Sequence, residues 1–319
     1  VVVHDEVSMY DMGMINLLEK FVNKNSKIIL VGDRYQLPPI IEDKRRASDL
    51  DSPAFSFFTN KIELTERVRQ TAGNPILDLC DEITKEIDGD KNVKRIVELL
   101  SVDVFKDGVG YRKITKENLV SDFLQTYNES FDSRVICYKN VTINRINNKI
   151  RSKLFNNPDE KYVSGDALYM NQTYVNPDKI PFFNSEELII EDILEYSEYW
   201  GVYASLAVVE RDGMRSSLWL VDNDGEADYD FQLAKRKKKM QTAEKGELNL
   251  AKKEYMEFKS AFADVSYGYA FTCYKIQGSS AKNVYVDVAD IRSVPISDKR
   301  KLQTLYTAIT RATHQVVFF

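Results

Sequence analysis

The chain has 319 residues, 43% of them hydrophobic and 29% charged, and a formal net charge of −5. This is the composition of a globular chain with room for two domains and an insertion; no run approaches the roughly 18 apolar residues of a membrane helix, and no basic leader with an apolar core opens it. The negative balance confines any nucleic-acid contact to a local patch, the scattered Cys80, Cys137 and Cys273 point to a reducing compartment and away from structural zinc, and a mechanism built on histidine bases is disfavoured by the presence of only His4 and His314.

In chain order, VVVHD (residues 1–5) reads as a buried strand of a parallel sheet. DMGMINLLEKFV follows with Met14, Leu17, Leu18 and Phe21 at helical spacing, and KIILVGD (27–33) is a second buried strand ending in a Gly-Asp turn. Strand, helix and strand in this order predict a βαβ unit with a right-handed crossover. Ligands of such sheets sit at the carboxyl ends of strands, where Asp5, Glu6, Gly32 and Asp33 fall. After the polar EDKRRASDLDS come KIELTERVRQ and a helical region to about residue 100. RVICYKN is a short buried strand, and it feeds a helix, VTINRINNKIRSKLF. That helix has an apolar face of Ile143, Ile146, Ile150 and Leu154. Its other face carries Asn144, Arg145, Asn147, Asn148, Lys149 and Arg151, with no acidic residue between Arg134 and Lys153.

From about Tyr162 the texture becomes that of an antiparallel unit: ELIIEDILEY, GVYASLAVVER and SSLWLVD, with Asp212-Gly213 as a hairpin turn. A charged helical segment containing KRKKK (235–239) follows. Parallel-sheet texture then returns in VSYGYAFTCYKIQGSS, NVYVDVAD and QVVFF. KRKKK is expected to be a solvated helix face, Trp200 and Trp219 core, and the cysteines inert.

Five strings carry chemistry. An acidic pair closing a buried strand, Asp5-Glu6, can serve a metal ion and a water. In GDRYQLPPI, Gly32 permits a tight turn, Asp33 can accept from backbone N–H groups, and Gln36 places a neutral amide at the same sheet edge. ELTERVRQ offers Arg67 and Arg69 for bidentate phosphate binding. YAFTCYKIQGSS is small and donor-rich, with Thr272, Lys275, Gln277 and Gly278, which suits phosphates or a sugar-phosphate backbone. LYTAITRATHQVVFF adds a helix bearing Arg311 that runs into a final strand. An arginine delivered across a cleft is a common way to stabilise a transferring phosphoryl group.

In order and spacing the set resembles motifs II to VI of superfamily 1 helicases, type B, and within it the class of phage Dda and RecD. The resemblance implies an α/β fold of RecA-like parallel-sheet motor domains, the first one partial, with a β-rich SH3-like insertion. It divides the chain into the end of a first motor domain (1–62), a second one (63–161 and 262–319) and the insertion (162–261). It implies ATP and Mg²⁺ as cofactors, with Asp5 on the metal, Glu6 polarising the attacking water, Gln36 at the γ-phosphate, and Arg69 and Arg311 clamping it. Gly278 would line the nucleotide. Asn140, Asn144, Arg145, Arg151, Thr272, Tyr274, Lys275 and Gln277 would meet single-stranded DNA; Tyr274 stands where the class often has His, and a tyrosine can still stack on a base.

None of the 13 glycines is followed by Lys, so the sequence holds no GxxxxGK[ST]. With no Met at position 1, the chain is expected to start just after the phosphate loop and to need the preceding motor segment as a partner. Single-strand-binding or replisome proteins are further partners that the class implies. So are 5′ to 3′ movement, work in replication, repair or recombination, and a cytoplasmic location, that of the host if the chain is phage-encoded; no membrane is expected. Two rivals stay open. One is a non-catalytic fragment that binds DNA or a partner. The other is a metal-dependent nuclease using Asp5 and Glu6, which would need a further carboxylate cluster.

Overall fold

The computed structural model describes residues 1–23, 25–39, 50–66, 68–127, 132–155, 160–211 and 213–319. Val2–His4 and Ile28–Leu30 form the predicted parallel pair, in the register Val2↔Ile28, Val3↔Ile29 and His4↔Leu30. The helix Met12–Phe21 connects them, started by Asp11, whose carboxylate accepts from Met14 N at 2.9 Å. Neither strand is buried in the way the sequence predicts. Parallel strands are covered only when layers lie on both faces, and these two are the whole of their sheet among the described residues. Val7, Ile15, Leu18 and Ala54 pack into one small core, while Val3, Ile29, Met14, Leu17 and Phe21 remain exposed.

The chain divides into two compact units, 1–126 with 132–143 and 271–319, and 127–131 with 144–270. The first unit holds most of a six-stranded sheet in the order Ala270–Thr272, Ser133–Cys137, Ala281–Val286, Ala312–Phe318, Val109–Lys113, Val104–Lys106. Ala281–Val286 runs parallel to both Ser133–Cys137 and Ala312–Phe318, and the latter is parallel to Val109–Lys113. Only the edge hairpin 104–113 is antiparallel. Ser133–Cys137 is buried throughout, and Val284–Val286 and Val316–Phe318 are buried apolar runs. This is the mixed α/β architecture with a parallel core that the βαβ texture predicts. Residues 1–62 lie in this same unit. The three cysteines are buried, and none is in a disulfide.

The second unit is a five-stranded antiparallel sheet, in the order Met214–Val221, Val202–Arg211, Glu187–Tyr199, Ala167–Met170, Val265–Tyr267. It spans 144–270, a range that contains residues 162–261. Asp212 of the predicted turn lies outside the described residues, but Arg211 pairs with Met214 and Gly213 has φ 75°. The sheet supports two apolar clusters, one around Leu168, Phe182, Ile190 and Leu220, the other around Val202, Trp219, Phe258 and Phe262. Trp219 stacks on Tyr199 at 4.4 Å, as a core residue should. Trp200 sits at the rim of the core: Tyr199 pairs with Val202, Trp200 and Gly201 make the two-residue turn between them at φ 53° and 73°, and the indole, 46% exposed, meets the buried Phe258 edge-on at 6.4 Å. Both central residues are left-handed, the type I′ pattern that matches strand twist.

Candidate functional site

The strand pairing continues into the acidic turn through Val31 N to His4 O and Val7 N to Val31 O. Asp5 closes the turn by accepting from Glu6 N at 2.8 Å. Glu6 adopts φ 53°, ψ 37°, a left-handed conformation that costs a non-glycine residue about 1 kcal/mol or more. Beside it Gly32 is tightly enclosed: a Cβ there would stand 3.0 Å from Val7 Cγ2 and 3.1 Å from Ser8 N. Asp33 then accepts from Tyr35 N and from the Tyr306 hydroxyl, both at 2.9 Å. Leu37 N donates to Thr307 Oγ1 at 3.1 Å, so the turn 33–37 is tied to the helix Asp298–Ile309. Gln36 makes one long contact from Nε2 to Asp33 (3.4 Å), and its amide oxygen is buried without a partner among the described residues.

Gln277 reaches the acidic turn from the 272–279 loop. Its Nε2 donates to Glu6 Oε2 at 3.0 Å and to Ser8 Oγ at 3.1 Å, while its own Oε1 is buried without a partner among the described residues. Gly278 follows at φ 85°, where a Cβ would stand 3.7 Å from Glu6 Oε1. Thr272 Oγ1 accepts from Lys275 N at 3.2 Å and shapes the turn that leaves Lys275 exposed. Tyr274 is half-buried, and burial pushes its phenol up to about 12, so little of the ring is open for stacking.

Arg311 is 1% exposed. It donates from Nε to Thr307 O (3.1 Å), from Nη1 to Ser279 O (3.5 Å) and from Nη2 to Thr310 Oγ1 (3.2 Å). All three acceptors are neutral, and no carboxylate pairs with it among the described residues. Arg69 Nη1 donates to Thr310 O at 2.8 Å. Burial first, and then the charge of Arg69, pull the Arg311 guanidinium below the ordinary arginine range; Glu6 and Asp33 act in the opposite sense. A buried cation with only neutral partners is costly unless an anion arrives. Arg67 lies outside the described residues.

The first unit thus brings Asp5, Glu6, Gln36, Arg69, Gln277, Gly278 and Arg311 to one place. Ser8 and Tyr306 belong with them and were missed; a serine and a helical tyrosine carry no signal until their partners are known. Among the described residues no group of three His, Cys, Asp or Glu could cage a metal. An ion held at Asp5 would have to take its other ligands from water and phosphate oxygens, as Mg²⁺ commonly does.

The helix Asn140–Leu154 divides differently from the sequence reading. Thr142, Ile143, Ile146, Asn147, Ile150 and Arg151 are buried; Asn144, Arg145, Asn148, Lys149, Ser152 and Lys153 are exposed. Arg151, expected on the DNA face, is instead 4% exposed and donates from Nε to both oxygens of the buried Asp166, at 2.9 and 3.0 Å. Tyr269 OH and Val163 N complete that carboxylate at 3.1 and 2.9 Å. Asn147 binds the backbone of Ala270. Polar residues at i and i+4 looked solvent-facing in the sequence because their buried partners lie more than a dozen positions away.

Asn140 is exposed at the start of this helix. The turn before it is held by Asp290, whose Oδ2 accepts from Tyr138 N (2.8 Å) and Lys139 N (2.9 Å) and whose Oδ1 accepts from the Thr142 hydroxyl (2.8 Å). A carboxylate at a helix N-terminus meets orphan amides and the positive end of the dipole. Asp290, too, has no motif to announce it.

Residues 267–319 match the family described as the UvrD-like helicase C-terminal domain. The ATP-dependent DNA helicase Dda of Enterobacteria phage T4 is 26% identical over 352 aligned positions, which take in 100% of this chain and 75% of that protein. An uncharacterized protein of Acanthamoeba polyphaga mimivirus is 22% identical, covering 99% and 74%. The solved structure of a Pif1 helicase from Bacteroides in complex with ADP-AlF3 and ssDNA has a TM-score of 0.57 at 14% identity, with 99% of this chain and 70% of that one covered. For the Pif1 helicase from Candida albicans the TM-score is 0.50 at 13% identity, with 99% and 72% covered. The chain therefore resembles superfamily 1 type B helicases of the Dda and Pif1 kind, and it shares their mixed α/β fold.

Proposed function

We propose that this chain is the motor portion, from motif II onward, of an ATP-dependent helicase that moves 5′ to 3′ along single-stranded DNA. Arg311 carries the reading. It is a buried guanidinium with neutral partners only, beside a second arginine, in a site where two amide oxygens lack donors. A bound triphosphate with its Mg²⁺ supplies the transferable phosphoryl group and the missing anion. Arg69 and Arg311 bind its oxygens, and Asp5 holds the ion. Glu6, released from Gln277, accepts the proton of an attacking water, and the Gln36 amide oxygen orients that water. A cradle of backbone N–H groups and a lysine is also required; no such string occurs within these residues, and the reading places it outside them. Residues 1–62 are read as the end of one motor domain, 63–161 with 262–319 as the other, and 162–261 as the SH3-like insertion. Asn140, Asn144, Arg145, Thr272 and Lys275 are read as contacts to the DNA backbone.

The test is ATP turnover by the full-length protein with and without single-stranded DNA. Turnover is expected to rise with DNA and to fall on the order of 10²–10⁴-fold in Glu6→Gln, the usual loss when a general base is removed, with DNA binding retained. DNA binding without any turnover in the wild type would instead favour the non-catalytic reading.

Asp290 provides a second expectation. Asp290→Ala removes the acceptor of Tyr138 N, Lys139 N and the Thr142 hydroxyl and leaves these donors unpaired, at about 1–3 kcal/mol. The DNA concentration for half-maximal turnover should rise on the order of tenfold, while the rate at saturating DNA stays within about twofold. An unchanged half-maximal concentration would show that the turn before Asn140 does not present the strand.

A further inference from the structure

The proposed function leaves KRKKK unused. It lies in the helix Glu226–Thr242, which packs on the antiparallel sheet through Tyr229 and Leu233. The Tyr229 and Phe258 rings stack at 5.5 Å, and the Arg236 guanidinium sits 4.0 Å from the Phe258 centroid. Arg236 also donates to Gln232 Oε1 at 2.7 Å. Tyr229, Leu233, Arg236 and Met240 are half-buried along this inner face. Helical spacing then puts Phe231, Lys235, Lys238 and Thr242 on the opposite face, and all four are exposed. Phe231 is 68% exposed.

The charges on this outer face are uncompensated. Lys239 pairs with Glu254 at 2.7 Å. Lys235, Lys237 and Lys238 have no ion-pair partner among the described residues. The positions three and four away from Lys235 and Lys238 hold Phe231, Gln232, Ala234, Gln241, Thr242 and further lysines. Like charges at such spacing weaken a helix by a few tenths of a kcal/mol per pair. A chain with a net charge of −5 thus concentrates bare lysines beside an open aromatic ring on a rigidly anchored helix. Cations that track phosphates, interleaved with a ring that can stack, are the two components of single-strand binding.

We propose that the outer face of the helix Glu226–Thr242, formed by Phe231, Lys235 and Lys238 with the exposed Lys237 on its flank, is a second nucleic-acid contact that takes the phosphate backbone of a strand. The inference rests on the DNA-motor reading but on none of its residues. Asp228 and Asp230 precede Phe231 and repel phosphate, so the contact runs from Phe231 towards Thr242.

The experiment uses the full-length protein with a fluorescent oligothymidylate, a blunt hairpin duplex and polyglutamate as probes, each over a range of salt. Lys235→Ala/Lys237→Ala/Lys238→Ala is expected to weaken binding of the oligothymidylate on the order of tenfold and to flatten the slope of log K against log salt by about 2. Phe231→Ala should weaken it several-fold and leave the slope alone, because stacking releases no counterions. The triple variant should melt no lower than wild type, since repulsive pairs are removed. Loss confined to the duplex probe also supports a phosphate-backbone contact and assigns the face to double-stranded DNA. Unchanged DNA affinity and slope in the triple variant overturn the inference and leave the motor reading standing. The same holds if only polyglutamate binding is lost, which would assign the face to an acidic protein. Failure of the wild type to bind either DNA removes the motor reading, and the inference with it.

Discussion

Replacing Arg311 with alanine in the full-length protein is expected to cut DNA-stimulated ATP turnover by on the order of 10³ or more, with single-strand binding nearly intact. The side chain is almost fully buried and donates only to Thr307 O, Ser279 O and Thr310 Oγ1. None of those acceptors balances its charge, and Arg69 adds to the imbalance. On the proposed reading such a cation is held for an anion rather than for the fold. A second measurement separates the two roles. Arg311→Met should melt within about 1 kcal/mol of wild type without nucleotide, since a buried charge that lacks an ion pair contributes little stability. The rise in melting temperature that a non-hydrolysable ATP analogue produces should largely vanish; for a ligand at a hundred times its Kd that rise corresponds to about 2.7 kcal/mol. Full turnover in Arg311→Ala would transfer the role to Arg69.

Arg151→Ala is expected to act in the opposite way, on the fold before the function. Its Nε lies 2.9 Å from Asp166, which is fully buried. Truncation leaves that carboxylate with Tyr269 OH and Val163 N but without a cation, a change that costs about 3–5 kcal/mol in buried pairs. Against a typical stability of about 5–15 kcal/mol this is severe, and urea unfolding should register it. Arg145→Ala, six positions earlier on the exposed face, should leave stability unchanged and lower the single-strand salt slope by about 0.7. A stable Arg151→Ala protein with a flattened salt slope would restore Arg151 to the DNA face.

These two arginines show where the sequence could be read and where it could not. The paired strands before Asp5 and Gly32 follow from β-branched runs separated by a helical period, because short-range sterics and periodicity decide such elements locally. The acidic turn, GDRYQ and the Arg311 segment could be placed at sheet edges for the same reason. Arg145 and Arg151 have the same side-chain type on the same helix, and sequence spacing set both among polar neighbours. Only the position of Asp166, fifteen residues on, buries one and leaves the other free.

By itself the sequence determined the strand and helix texture, the parallel core, the antiparallel second unit and the strings that could meet a phosphate. These are local properties of backbone and pattern. The tertiary structure decided which residues of those strings meet. Gln277 touches Glu6 across 271 positions, Tyr306 touches Asp33 across 273, and Asp290 holds the turn before Asn140 from 151 and 152 positions away. It also decided that Trp200 reaches only the rim of its core and that the strands 2–4 and 28–30 lie half bare. Hydrogen bonds and burial depend on distance in space, and nothing in a linear pattern encodes the approach of two side chains until every intervening element has packed.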